Sequence, residues 1–208
     1  MRKINIKRVF DIIFSAIVLL IFSPILLIIS FLILIFDGRR ILFRQNRTGL
    51  NRQTFIFYKF RTMKPIYNEF GEKLQDANRI TRLGRFLRET SLDELPSFIN
   101  VIKGDMSVVG PRPLLEEYVE RYDNDQLKRL NVKPGVTGLA QINGRNSISW
   151  EEKFFYDLQY VENHNFFIDL KIILFTLKFV FKREGISPEN NEIMPEFKSK
   201  KITDKISK

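Results

Sequence analysis

The sequence predicts a mostly α-helical, mixed α/β chain in which an N-terminal membrane hairpin and amphipathic interfacial helices carry a small cytoplasmic globular domain. Three observations predict it. An uncharged run of 25 residues lies near the N-terminus, and a second apolar stretch, studded with lysines, lies near the C-terminus. Between them, short strand-like and helical pieces alternate with glycine and proline punctuation. At 208 residues the chain suffices for one compact domain plus an anchor. The boundaries fall at 1–40 for the anchor, 41–187 for the globular part with its interfacial helices, and 188–208 for a polar, lysine-rich tail.

Ile12 to Phe36 hold no charge, and a straight helix of that length measures about 38 Å against a hydrocarbon core of about 30 Å. The run is too long for a cleaved signal peptide, and it ends in Asp37-Gly38-Arg39-Arg40, which is no cleavage site. Pro24 sits at its middle, removes a backbone donor and strands the carbonyl of Leu20, which the hydroxyl of Ser23 is placed to satisfy. Cut there, each half is about 18 Å long and reaches only into the bilayer. Arg2, Lys3, Lys7 and Arg8 precede the run, while Arg39, Arg40, Arg44 and Arg47 follow it. The positive-inside tendency therefore favours both ends on the cytoplasmic side, with the basic flanks held to the anionic leaflet. Two topologies fit: a re-entrant hairpin broken at Ser23 and Pro24, and an ordinary kinked span.

In the globular part, residues 54–60 (TFIFYKF) are rich in aromatic and β-branched side chains and predict a strand. Residues 64–78 are polar and predict an exposed loop. A helical pattern covers 82–102 with a break near Pro96, a second helix with a charged face covers 114–130, and glycines punctuate 134–144. A further helix covers 150–160. Residues 166–182 place Lys171, Lys178 and Lys182 at helical spacing among large apolar residues, which fits an interfacial amphipathic helix and equally a core helix with a solvated edge.

Composition narrows the chemistry. The chain has no cysteine and one histidine, His164, so disulfides, thiolate metal sites and a cysteine nucleophile are excluded. Any metal must be held mainly by oxygen, which points to magnesium or manganese. The net charge of +10 suits a nucleic acid, an anionic membrane or a polyphosphate. Without a zinc-finger, RNP-type or basic-zipper signature, nucleic acid is set aside.

Asp93 and Glu94 stand side by side in Thr90-Ser91-Leu92-Asp93-Glu94-Leu95-Pro96. Ser91 and Glu94 also have capping-box spacing, although Pro96 disfavours a helical Leu95. Downstream, Pro111 and Pro113 stiffen the backbone around Arg112, as if to present its guanidinium to a phosphate in a fixed direction. Lys59 and Arg61, beside the predicted strand, are two more phosphate-competent cations. The stretch 135–146 mixes turn glycines with Gln141, Asn143 and Arg145, donors able to embrace a nucleotide, and it is neither a P-loop nor a Rossmann fingerprint. A competing acidic pair, Asp123 and Asp125, has the Asp-x-Asp form that many glycosyltransferases use to hold a metal and diphosphate.

Taken in series, these strings resemble the bacterial sugar transferase family, in its small monotopic form of polyprenyl-phosphate phosphoglycosyl transferases. The resemblance rests on Lys-Arg-x-x-Asp (7–11) leading into the apolar run, Ser23-Pro24, YKFRTM (58–63), SLDELP (91–96), NVIKGDMSVVGPRP (100–113), KPGVTGLAQINGR (133–145) and YDLQYV (156–161), and it covers residues 7–187. It implies a re-entrant helix bent at Ser23-Pro24 and an active site on the cytoplasmic face of the bacterial inner membrane. It also implies that the chain, starting directly at its anchor, is the minimal form of the family. By resemblance Asp93 is the nucleophile and a ligand of Mg2+, Glu94 assists it, and Arg112 holds phosphate. Lys59, Arg61, Gln141, Arg145 and Asp157 are implied as binding residues. The implied reaction moves sugar-1-phosphate from a UDP-sugar to polyprenyl (undecaprenyl) phosphate through a phosphosugar-aspartate, releasing UMP. Membrane lipids and downstream glycosyltransferases are the further partners implied. Two alternatives stay open: a glycosyltransferase that releases UDP through Asp123 and Asp125, and a non-catalytic membrane adaptor.

Overall fold

Proline forces the first feature of the fold. Helix α1 (Ile6–Ile21) and helix α2 (Ser23–Phe36) meet at a 62° bend, and Ser23 Oγ donates to Leu20 O at 2.8 Å, occupying the carbonyl that Pro24 leaves without a helical partner. Neither helix alone is long and apolar enough to cross a membrane, although the bent pair is so by length and composition. The computed structural model describes residues 6–38, 40–64, 79–144, 147–182 and 196–197. Leu20, Ile21, Leu27, Phe31 and Phe36 on the pair are exposed, whereas Ile29 and Ile33 of α2 pack on Phe60 and Leu87.

Of the basic flank before the run, Lys7 and Arg8 are not free membrane-facing charges, contrary to expectation. Lys7 reaches Val109 O and the Tyr160 hydroxyl, each at 3.3 Å, and pairs with buried Asp169. Arg8 donates to the carbonyls of Val101 and Ile102, and Asp11 accepts from Val108 N at 3.0 Å. Asp11 is 2% exposed, so a strong acceptor at this depth has to be satisfied, and a backbone amide does so. The Lys-Arg-x-x-Asp string is thus a clamp that fastens α1 into the globular domain.

Strand β2 (Thr54–Phe60) forms as expected and pairs antiparallel with β1 (Leu42–Thr48), in register from Leu42 opposite Phe60 to Thr48 opposite Thr54. The reversal between them uses left-handed backbone at Asn51 and Arg52. The expected loop at 64–78 lies, from residue 65 onward, outside the described residues. Helix α3 (Arg82–Glu89) starts at Thr81, whose hydroxyl accepts from Gly84 N at 2.9 Å. Gly84 is required there: a Cβ would stand 2.0 Å from Thr62 O. The expected break near Pro96 is a 3-10 segment (Leu92–Ser97), after which the chain continues as α4 (Phe98–Lys103).

Strand β3 (Ser107–Val109) pairs parallel with β4 (Gly135–Thr137). Beside that pair Gly110 and Gly135 touch backbone to backbone, so that a Cβ on Gly135 would lie 2.1 Å from Gly110 N. The helix expected over 114–130 is not continuous. Two 3-10 segments, Glu116–Arg121 and Gln126–Asn131, replace it. Asp123 Oδ1 accepts from the amides of Asp125 (2.9 Å) and Gln126 (2.8 Å), which offers the backbone a turn in place of a helix. Tyr118 and Tyr122 are drawn into an aromatic cluster with Phe154 and Phe197.

Beyond β4 come a single turn, α5 (Leu139–Ile142), and then α6 (Trp150–Asn163), which opens with a capping box between Ser149 and Glu152. Helix α7 (Phe166–Lys182) buries Asp169, Ile172 and Ile173 and exposes Phe167, Leu174 and Leu177. Phe166 meets Phe10 of α1 edge-on at 5.5 Å, so the exposed apolar surfaces of α1 and α7 adjoin.

Candidate active site

Ser91, in the left-handed region (φ 57°), turns the chain from α3 into the 3-10 segment. It makes no side-chain cap, so the capping-box explanation for Ser91 and Glu94 does not hold. The two carboxylates of the segment are treated differently by their surroundings. Arg112 clamps Glu94 with both terminal nitrogens, Nη1 lying 3.1 Å from Oε2 and Nη2 bonding Oε1. Asp93 is 5% exposed, and among the described residues its carboxylate has no hydrogen-bond or ion-pair partner.

The electrostatics follow that asymmetry. Burial, then the charge of Glu94, pushes Asp93 up to about 6 against the opposing pull of Lys59, Arg88 and Arg112. Burial also acts to raise Glu94, but the charge and hydrogen bonds of Arg112 outweigh it and hold Glu94 down at about 2. Lys59 is lowered by burial, with Asp93 and Glu94 resisting. Between about pH 6 and neutrality, therefore, an unclamped aspartate loses its proton beside a glutamate that is already ionised and neutralised.

Arg112 sits in a loop held from several directions. Gly135 N donates to Pro111 O at 2.9 Å, Arg47 Nη1 donates to Pro113 O at 3.4 Å, and Arg129 Nη2 donates to Arg112 O at 2.7 Å. Arg129 in turn pairs with Asp157 through Nε (3.0 Å) and Nη2 (2.7 Å), both residues being almost wholly buried. Asp157, expected among the binding residues, thus bears on the dyad through Arg129 and the Arg112 backbone.

The other expected residues are placed unequally. Lys59 contributes to the field at Asp93 and Glu94. Arg61 folds its guanidinium back onto Met63 O at 3.0 Å. Arg88, which donates to Thr62 Oγ1 at 3.0 Å, is the cation that acts on Asp93 in its stead. On α5, both polar atoms of the Gln141 amide are buried without a partner among the described residues. Arg145 lies outside the described residues. Asp123 and Asp125 serve their own turn, Asp125 pairing with Lys128 at 2.6 Å, and both are exposed. Sequence reasoning missed Arg47, Arg88 and Arg129. Arg47 lies close enough to Arg112 and Glu94 to feel both, and burial, with Arg112, lowers it to about 10. Its Nε is buried without a partner among the described residues.

A glutamate clamped by arginine, an unclamped buried aspartate and a surround of four cations define a site for an anionic substrate, of the kind used in phosphoryl-group chemistry. Residues 2–183 match the bacterial sugar transferase family, and the chain belongs to it, as an enzyme of that class. It is 45% identical over 186 residues to an uncharacterized sugar transferase, EpsL, of Bacillus subtilis, covering 89% of this chain and 92% of that one. It is 39% identical to an undecaprenyl-phosphate galactose phosphotransferase of Salmonella typhimurium, over 86% of this chain and 41% of that protein. Against a UDP-glucose:undecaprenyl-phosphate glucose-1-phosphate transferase of Klebsiella pneumoniae the identity is 42%, over 82% of this chain and 39% of the relative.

Proposed function

We propose that this chain transfers sugar-1-phosphate from a UDP-sugar to polyprenyl phosphate, releasing UMP, at the cytoplasmic face of the bacterial inner membrane. The observation that carries the proposal is the division of the dyad into a clamped glutamate and an unclamped aspartate. Relatives named for sugar-phosphate transfer to undecaprenyl phosphate support the donor and acceptor classes.

In the proposed route, an Asp93 carboxylate oxygen attacks the β-phosphorus of the donor. The bond from that phosphorus to the bridging oxygen breaks, and UMP leaves with the oxygen. An oxygen of the lipid phosphate then attacks the same phosphorus, the bond to Asp93 breaks, and the sugar leaves on a polyprenyl diphosphate. Two phosphoryl transfers through a carboxylate replace one direct transfer between two anions. Arg112, Lys59 and Arg88 hold the phosphate charge, while Arg112 keeps Glu94 ionised beside the reacting centre.

Magnesium fits these residues. Asp93 and Glu94 offer oxygen donors, and among the described residues Asp93 has no internal partner to give up and no cluster of three or more His or acidic side chains occurs, so the protein would supply one or two carboxylates. Asp93, with Glu94 adjacent, would hold a magnesium ion, and the ion would supply charge neutralisation for the donor diphosphate.

The exposed apolar surface of α1, α2 and α7 supports placing the enzyme in one leaflet, where a water-soluble donor and a lipid acceptor both reach the dyad. The test is the released nucleotide. Protein in detergent, given magnesium, polyprenyl phosphate and a panel of UDP-sugars, is expected to release at most one equivalent of UMP per enzyme without the lipid and to turn over UMP only when the lipid is present. Release of UDP would overturn the proposal.

A further inference from the structure

An aromatic socket lies among the residues that follow the Arg112 loop and those of helix α6. Tyr118, Tyr122, Trp150 and Phe154 form it, and Phe197, from the C-terminal tail, fills it. The Phe197 ring lies 5.0 Å from Phe154, 5.4 Å from Trp150, and 5.8 Å from both Tyr118 and Tyr122. Arg121 completes the contact, donating from Nη1 to Phe197 O at 2.7 Å and to Glu196 Oε1 at 2.6 Å. Ring packing, a backbone hydrogen bond and an ion pair on two successive residues make a specific seat for an acidic-aromatic dipeptide.

The socket walls also hold the site. Tyr122 and Phe154 both flank the guanidinium of Arg129, at 5.8 and 5.7 Å, and the Tyr122 hydroxyl accepts from Arg129 Nη1 at 3.1 Å. Arg129 Nη2 then holds the Arg112 carbonyl, and the Arg112 guanidinium holds Glu94. Four contacts in series therefore join Phe197 to the dyad, the first three among buried or half-buried groups with little room to yield and the last made by the exposed guanidinium of Arg112.

We infer that Glu196-Phe197 is a strap: seated, it fixes Tyr122, Phe154 and Arg129 and thereby sets Arg112 for the donor phosphate; unseated, it leaves that arginine loosely held. Phe197 is a positioning residue in this scheme, and the socket is a receptor for the chain's own tail. Only the kinetic arm of its test rests on the transfer reaction proposed above.

Trp150 is the sole tryptophan, so its emission reports docking directly. Three proteins are compared: the full chain, Phe197→Ala, and a chain ended after Pro195, each checked for folding by circular dichroism. Loss of the strap is expected to shift Trp150 emission and to lower kcat/KM for the donor by about fivefold or more, the range of ordinary site-to-site coupling. A peptide of residues 191–200 added to the shortened chain is expected to restore both. Because coupling between two binding events is reciprocal, saturating inorganic pyrophosphate, standing in for the donor diphosphate, is expected to tighten peptide binding by the factor by which the peptide tightens pyrophosphate binding. This last arm needs no turnover, so it survives if the reaction itself is wrong. Unchanged Trp150 emission in both variants would overturn the strap, as would peptide affinity indifferent to pyrophosphate.

Discussion

Arg129 Nη2 lies 2.7 Å from Asp157 Oδ2 and 2.7 Å from the main-chain carbonyl of Arg112. One buried guanidinium nitrogen therefore ties a helix that bears no reacting group to the loop that clamps Glu94. Removing either partner leaves an uncompensated charge in the interior. Asp157→Ala is expected to cost about 3–5 kcal/mol of stability, or about 6–20 °C in Tm for a chain of this size. Thermal unfolding followed by circular dichroism checks it, and a loss under 1 kcal/mol would show that the pair is not holding the loop.

The elevated Asp93 makes a prediction in pH. A nucleophilic carboxylate must be ionised, so turnover is expected to fall as pH drops through about 6, well above the ordinary aspartate value of 3.8. Glu94, at about 2, stays ionised throughout and adds no limb in this window. A rate profile in kcat/KM from pH 4.5 to 8 reads the limb directly. A limb near 4 would contradict the burial argument.

The same shift has a sign for stability. Because the folded pKa of Asp93 exceeds its unfolded value, the fold favours protonated Asp93, and that contribution is lost as pH rises from about 3.8 through about 6. At neutral pH the ionised aspartate is thus a cost. Asp93→Asn is expected to abolish turnover and yet raise Tm at pH 7.5, with the gain vanishing by pH 4. Lower Tm at pH 7.5 would mean that Asp93 is stabilised by a partner.

Arg112→Lys keeps a charge near Glu94 but loses the two-pronged bond. Glu94 is then expected to rise from about 2, the acid limb of the profile to move up, and kcat/KM to fall by about 10–100-fold, one or two strong charge-assisted hydrogen bonds being lost. A profile unchanged from wild type would separate Glu94 from the reaction.

The hairpin is tested by topology. The chain has no cysteine, so single cysteines at Lys3 and Arg40 can be labelled with a membrane-impermeant maleimide. Both are expected to resist labelling in intact cells and to react in inverted membranes. Labelling of one of them in intact cells would establish a span.

Local chemistry was readable in advance, and contacts made by folding were not. The bend at Pro24 and its repair by Ser23 follow from one missing amide, and β2 follows from its aromatic and β-branched run. Its partner β1 was invisible because Arg44, Gln45, Asn46 and Arg47 interrupt any apolar alternation. The 114–130 helix failed because Asp123 stabilises a turn and because Tyr118 and Tyr122 are pulled into a cluster with residues far along the chain. Asp93, Glu94 and Arg112 stand in compact motifs and could be picked out. Arg129, in a charged stretch, resembles any solvated arginine until Asp157 and the Arg112 carbonyl close on it from 28 and 17 residues away.

The clamp of Lys7, Arg8 and Asp11 means that the hydrophobic leader is no exchangeable tether. Cutting it off to obtain a water-soluble catalytic fragment would strip Val108 N of its acceptor and Asp169 of its counter-ion, a double defect next to the strand that leads into the Arg112 loop. Grafting the remainder onto a foreign transmembrane segment would leave the same wounds. Production of this enzyme for assay or crystallisation therefore calls for a chain that keeps residues 7–11 in place.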